Sequence, residues 1–211
     1  LARFALYGGT FDPFHLGHLA VVRALREMAS MDEVLVIPTA RSPHKLGRAL
    51  SPGEWRYWLS LLGTLEEPHV RVERWELDRP PPSYAIDTFE QACQARGAGH
   101  DWWWVVGADQ LPGLATWQRI ETLLEHLRFM VVPRDPWLET EGIFREVPEA
   151  WRSRFDVLPM PPVPISATEI RRKLAARQEV HDLVPRLTGL YLDRYHGSLP
   201  LPGTSLDRLD A

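Results

Sequence analysis

With 211 residues, 45% of them hydrophobic, the chain is long enough to bury a sizeable core. A single domain over 1–196 is expected, followed by a Pro/Gly/Ser-rich tail, 197–211, expected to be disordered. The formal net charge of −4, from 24 Lys and Arg against 28 Asp and Glu, argues against a general nucleic-acid binder. The one cysteine, Cys93, excludes an intramolecular disulfide framework and fits a reducing compartment. No apolar run approaches the ~20 residues that cross a bilayer, and the opening LARFALYGG lacks the long apolar region of a signal peptide. The expectation is a cytoplasmic protein with neither a membrane nor a nucleic acid as partner.

Apolar, β-compatible runs alternate with helical patterns along the chain. RFALY (3–7) is followed by apolar residues at Leu19, Val22, Leu25 and Met28, the spacing of one helix face beginning near His18. EVLVIP (33–38) reads as a second strand, and a helix is expected from Ser51, where SPGE offers a capping box with Pro52 at the first helical position. VRVERWEL (70–77) reads as a third strand and a helix follows near Tyr84. WWWVVG (102–107) precedes a helix near Trp117, and RFMVV (128–132) and FDVLPM (155–160) complete the strands. A second capping box, SATE, opens a helix at Ser166, and a last helix runs from about Leu183 to Tyr195. Three segments read as long loops: 39–50, 79–83 and 134–150. Near-continuous apolar strands alternating with helices predict an α/β fold, a doubly wound parallel sheet, with a small C-terminal helical part. Ligands of such sheets bind beyond the carboxyl ends of the strands.

The stretch GGTFDPFHLGH (8–18) joins the first strand to the first helix. Gly8 and Gly9 are expected to let the backbone turn tightly and approach a ligand, with Gly17 doing the same at the helix entry. A helix N-terminus offers unpaired N–H groups to phosphate oxygens. His15 and His18, three residues apart, can share one side of the first turn and stabilise charge as a P–O bond breaks. The spacing is not G-x-G-x-x-G, and no Gly-Lys-Ser/Thr follows, so dinucleotide dehydrogenases and P-loop NTPases fit poorly. Two histidines begin a zinc site, but no third ligand stands at a recognisable spacing. Phosphate handling is the better reading.

GGTFDPFHLGH resembles the signature of the nucleotidylyltransferase superfamily, and ISATEIR (165–171) resembles its second signature, I-S-x-T-x-I-R. From Arg3 to Tyr195 the chain is similar to the bacterial nicotinate mononucleotide adenylyltransferase family. SPHK (42–45), PPSYAIDT (81–88), VVGADQLPGLATW (105–117) and VVPRDP (131–136) carry that likeness. The resemblance implies a Rossmann-like fold and a reaction joining nicotinate mononucleotide and ATP into deamido-NAD and pyrophosphate. It implies His15, His18 and Arg171 as catalytic residues. It implies ATP contacts from Gly8, Gly9, Thr10, Phe11, Gly17, Gly107, Asp109, Arg134, Ile165, Ser166 and Thr168. For the mononucleotide it implies His44, Lys45, Ser83, Tyr84, Ala85, Thr88 and Trp117, with Trp117 at the position that stacks on the pyridine ring. The family carries Arg directly before Pro where Asp135 stands here, so Arg134, one position earlier, is expected to substitute for it. Mg²⁺ is expected to arrive bound to ATP and water, and no protein metal site is expected. Two other readings remain open: a related adenylyltransferase acting on nicotinamide mononucleotide or phosphopantetheine, and a non-catalytic adenylate-binding module. A fragment of a class I aminoacyl-tRNA synthetase fits less well, because K-M-S-K-S is absent.

Overall fold

The structure is a computed structural model, and it describes residues 1–40, 50–133 and 140–195. The expectations for His44, Lys45, Arg134 and the 197–211 tail fall outside these residues.

Six strands form one all-parallel sheet: β1 (Arg3–Gly9), β2 (Glu33–Pro38), β3 (Val70–Val72), β4 (Asp101–Gly107), β5 (Arg128–Val132) and β6 (Phe155–Val157). Their spatial order is β3-β2-β1-β4-β5-β6, so the direction of winding reverses between β1 and β4. The side-chain period of two divides the core between the two faces. Ala5, Val34, Val36, Trp103 and Val105 pack with Val22 and Leu25 of α1 (Leu16–Glu27). Leu6, Leu35, Ile37, Trp102, Trp104 and Val106 pack on the other side, with Ile86 and Phe89 of α3 (Ala85–Arg96) and Leu123 of α4 (Ile120–His126). The WWW run thus sends Trp102 and Trp104 one way and Trp103 the other. A third cluster joins α2 (Gly53–Thr64), α6 (Ala167–Ala175) and α7 (Arg186–Tyr195) through Trp55, Leu59, Ile170, Leu174, Val184 and Leu192. Among the described residues no helix is long and apolar enough to cross a membrane.

Several boundaries depart from the sequence reading. β3 stops at Val72 because the chain folds into a turn in which Leu77 and Asp78 donate to the Arg74 carbonyl, which carries Glu76 into the interior. Instead of one helix near Trp117, a 3₁₀ segment (Ala108–Thr116) containing Pro112 precedes α4. The expected loop over 134–150 contains α5 (Thr140–Ile143) and a 3₁₀ turn, Phe144–Glu146. Neither predicted capping box forms. Pro52, not Ser51, is the N-cap of α2 and makes no side-chain bond. The Ser51 backbone is instead tied to Asp12 Oδ2 at 3.2 Å and to Arg56 Nε at 3.0 Å. Ser166 is the N-cap of α6, but its hydroxyl makes no capping bond.

At the amino ends of the strands, Asp156 accepts from Arg128 Nε and Nη2 at 2.8 and 2.9 Å and from Trp103 Nε1 at 3.0 Å. The Arg128 bonds, aided by Trp103, hold its carboxyl below the ordinary range. A lowered native value means stability that is complete above the unfolded value of about 3.9 and lost as pH falls through the native value. Because the pair is half-exposed, Asp156→Asn is expected to cost about 1 kcal/mol at pH 7. In denaturant titrations that difference should shrink below about pH 4; a difference independent of pH would exclude the ionised pair as its source.

Candidate active site

A cavity of about 630 Å³ opens at the carboxyl ends of the strands, lined by Gly8 and Gly9 of β1, Val105 and Gly107 of β4 and Val132 of β5. That is the switch point between β1 and β4, where an open α/β sheet parts and leaves a crevice. Thr10, Phe11, Asp12, His15, Gly17 and His18 line it from the loop and first turn after β1. Ile165, Ser166, Ala167, Thr168 and Arg171 line it from the start of α6, and Asp109 and Gln110 from the 3₁₀ segment. Both signature segments therefore face one cavity. Every expected ATP contact among the described residues lies in its wall.

The first helix starts at Leu16, two residues before the expected point, and this makes His15 its N-cap. The two histidines cap one another: the His18 backbone N–H donates to His15 Nδ1 at 3.4 Å and the His15 N–H to His18 Nδ1 at 3.2 Å. Their rings stack with centroids 3.6 Å apart and planes 19° from parallel. A nitrogen that accepts from an amide carries no proton, so in the neutral rings the proton sits on Nε2 and makes it a donor. The arrangement is a capping box made of imidazoles. Sequence spacing alone anticipates the shared side but not the reciprocal bonds.

The backbone work expected of Gly8 and Gly9 lies elsewhere. Both are strand residues, in register with Ile37 and Pro38 of β2. The turn is taken by Phe11, whose φ of 47° lies in the left-handed region that side chains avoid. Packing enforces it: the buried Phe11 ring meets Phe14 at 5.6 Å, Tyr7 at 5.3 Å and His18 at 4.9 Å between centroids. Gly9 is needed for room, since a Cβ there would stand 2.7 Å from Phe11 Cζ. Phe14, wholly buried, anchors the loop on α2 at Gly63, where a Cβ would stand 2.6 Å from Phe14 Cδ1.

Arg171 reaches across to the first motif. Its Nη1 donates to the Asp12 carbonyl at 2.6 Å, and its Nη2 donates to Thr168 Oγ1 at 3.2 Å. The same Nη1 stands 4.0 Å from Asp12 Oδ2. At the start of α6 the bare Ser166 cap leaves first-turn N–H groups as donors beside the cavity, a geometry suited to an anion.

Among the described residues, the expected mononucleotide contacts Ser83, Tyr84, Ala85, Thr88 and Trp117 do not line this cavity. Tyr84, Ala85 and Trp117 pack half-buried against the α3–α4 side of the core, with Trp117 edge-on to Trp104 and Phe129. Tyr84 is the N-cap of α3. Thr88 is completely buried, and its hydroxyl donates to Glu76 Oε1 at 2.8 Å and accepts from Arg79 Nη2 at 2.8 Å. Through these bonds it braces the segment before α3. Burial pushes the Glu76 carboxyl up, while Thr88, Ser83 and Thr39 hydroxyls and the Arg79 charge oppose that shift. Sequence reasoning misses Asp12, Arg56 and Glu76 as parts of the site. Asp12 stands in plain view inside the first motif. Arg56 has only the stripe of buried polar and small residues at 56, 60, 63 and 64 on α2 to mark it.

Gly9→Ala is expected to displace Phe11 and to cost about 1–3 kcal/mol of stability, the usual penalty of overpacking. Thermal unfolding measures it, and an unchanged midpoint would show that Phe11 yields freely.

A family model described as cytidylyltransferase-like matches residues 6–173. A relative from Thermus thermophilus, named "probable nicotinate-nucleotide adenylyltransferase", is 37% identical over 193 residues, covering 92% of this chain and 97% of its own. A relative of the same name from Moorella thermoacetica is 31% identical, covering 92% of this chain and 94% of its own. Among solved structures, the Plasmodium falciparum nicotinic acid mononucleotide adenylyltransferase complexed with NaAD shares the fold. Its TM-score is 0.71 at 17% identity, over 92% of this chain and 96% of that one. The match spans both motifs and the relatives align nearly end to end, so the chain belongs to the cytidylyltransferase-like family, among its nicotinate-nucleotide adenylyltransferases.

Proposed function

We propose that this chain transfers the adenylyl group of ATP to nicotinate mononucleotide, giving deamido-NAD and pyrophosphate in NAD biosynthesis, and that the transfer takes place in the cavity between β1 and β4. The observation that carries this reading is the convergence of His15, His18, Arg171 and the start of α6 on one space at the sheet's switch point. These are donors suited to a polyphosphate.

A phosphate oxygen of the mononucleotide attacks the α-phosphorus of ATP in line. The bond from that phosphorus to the bridging oxygen breaks, and pyrophosphate leaves with the electron pair. The attacking oxygen is already ionised at pH 7, so no protein base is required. Cys93 lies on α3 and does not line the cavity, and no protein nucleophile is invoked. Catalysis is then positioning plus neutralisation of charge on the transferring and leaving phosphates. The Nε2 donors of His15 and His18 serve the phosphates, and Arg171 with the α6 N-terminus serves the leaving side. Thr10, Phe11, Gly17, Gly107, Asp109 and Ile165 shape the nucleotide's place. Imidazole, guanidinium and amide donors match phosphate oxygens better than they match a hard cation. Mg²⁺ would therefore arrive with ATP and would supply charge neutralisation on its phosphates. Ser83, Tyr84, Ala85, Thr88 and Trp117 frame the mononucleotide side, which His44 and Lys45 complete in this reading, while Arg134 serves ATP. The single cysteine supports a reducing, cytoplasmic setting.

Pyrophosphate release should require both ATP and nicotinate mononucleotide; ATP binding without turnover would instead make the chain an adenylate-binding module. The ratio of kcat/KM for the acid and amide mononucleotides decides the acceptor, and a higher value for nicotinamide mononucleotide would replace the proposed one. His18→Ala is expected to lower kcat by about 10²–10³, the cost of a lost charge-stabilising donor. A variant with near-normal kcat would remove His18 from the chemistry.

A further inference from the structure

Arg56 is among the largest fully buried side chains of the molecule, at 2% exposure, and it does not line the cavity. Its guanidinium donates from Nη1 to the Thr10 carbonyl at 2.7 Å and from Nε to the Ser51 carbonyl at 3.0 Å. The Asp12 carboxylate, itself 2% exposed, is joined to the same place through the Ser51 N–H at 3.2 Å. Burial pulls the Arg56 guanidinium down from its ordinary value, and the Asp12 and Glu76 carboxylates oppose that pull. So deep a cation needs a reason, because a buried charge is costly unless it is paired and fully hydrogen-bonded.

The reason lies in what borders the cavity. Thr10 and Asp12 form part of its wall, and each carries negative ends: a carbonyl on Thr10, a carbonyl and a carboxylate on Asp12. Free to face the cavity, these groups would repel a polyphosphate at short range. Arg56 draws the Thr10 carbonyl into the interior, and Arg171 holds the Asp12 carbonyl.

We propose, resting on the adenylyl-transfer reading above, that Arg56 is a positioning residue for ATP: from behind the wall it holds the Thr10 carbonyl and, through Ser51, the Asp12 carboxylate away from the triphosphate. It touches no substrate and acts through the loop it holds. Its position on α2 also links that loop to Glu76, beneath the turn that precedes the mononucleotide segment.

Arg56→Met and Arg56→Lys test this with ATP and the mononucleotide titrated separately, well below each variant's unfolding midpoint. Arg56→Met is expected to lower kcat/KM for ATP by about 10²-fold, as a misplaced positioning group does, while the mononucleotide KM changes by less than about twofold. Arg56→Lys keeps the charge but not the fork, and should recover part of that loss. Should Arg56→Met fail to fold, the ATP and mononucleotide constants of Arg56→Lys carry the test. A folded variant with a lowered midpoint and an unchanged kcat/KM for ATP, or with equal losses toward both substrates, overturns the proposal and leaves Arg56 a structural residue. Wild-type protein that releases no pyrophosphate defeats the adenylyl-transfer reading itself, and the assignment of Arg56 falls with it. Normal wild-type turnover with unaffected variants defeats the assignment alone.

Discussion

The bond from Arg171 to the Asp12 carbonyl closes the site. It spans 159 positions of sequence and fastens the start of α6 to the loop after β1. The packing of α6 on α2 also brings the two motifs together, in a cluster built from Trp55, Leu59, Ile170 and Leu174. A charge-assisted bond fixes direction as well as proximity, which apolar contact cannot do. Two guanidinium groups, Arg56 from the interior and Arg171 from the cavity side, thus take hold of one short loop. Each satisfies a carbonyl of that loop, Arg56 that of Thr10 and Arg171 that of Asp12. The cavity wall carries the two imidazoles, the start of α6 and the Arg171 guanidinium.

Rigidity in this region is achieved by crowding. Phe11 sits in a left-handed conformation that costs free energy, and Tyr7, Phe14 and His18 hold it there. Phe14 in turn is locked against Gly63 of α2. The histidines gain fixed tautomers and fixed planes by capping one another and stacking. In the proposed reaction, preorganisation of this kind spares the donors a rearrangement when charge develops on the transferring phosphorus. The start of α3 is supported in a different way, by the buried Glu76 and Thr88 bonded together with Arg79.

Much of this is legible in the amino-acid order. The strands EVLVIP and RFMVV fall where their apolar runs place them, because parallel strands buried on both faces need nothing beyond continuous hydrophobicity. The motif residues expected to contact ATP line the cavity because they sit at strand ends and helix starts, positions that chain order alone prescribes once the sheet is doubly wound. The direction in which Thr88 faces is not legible, for the complementary reason. A hydroxyl in the first turn of a helix can face a ligand or the interior, and only the turn that brings in Glu76 settles which.

Residue order suffices for the parallel α/β fold, the two motif segments and the family to which they belong, since these follow from local patterns and from motif spacing. Three-dimensional packing was needed to make His15 and His18 cap each other, to leave the boxes at Ser51 and Ser166 unformed, and to bury Arg56 behind Thr10. Each of those outcomes depends on partners distant in the chain or on a shift of two residues in where a helix starts. A hydrogen bond a few tenths of an ångström long or short is beyond what periodicity can encode.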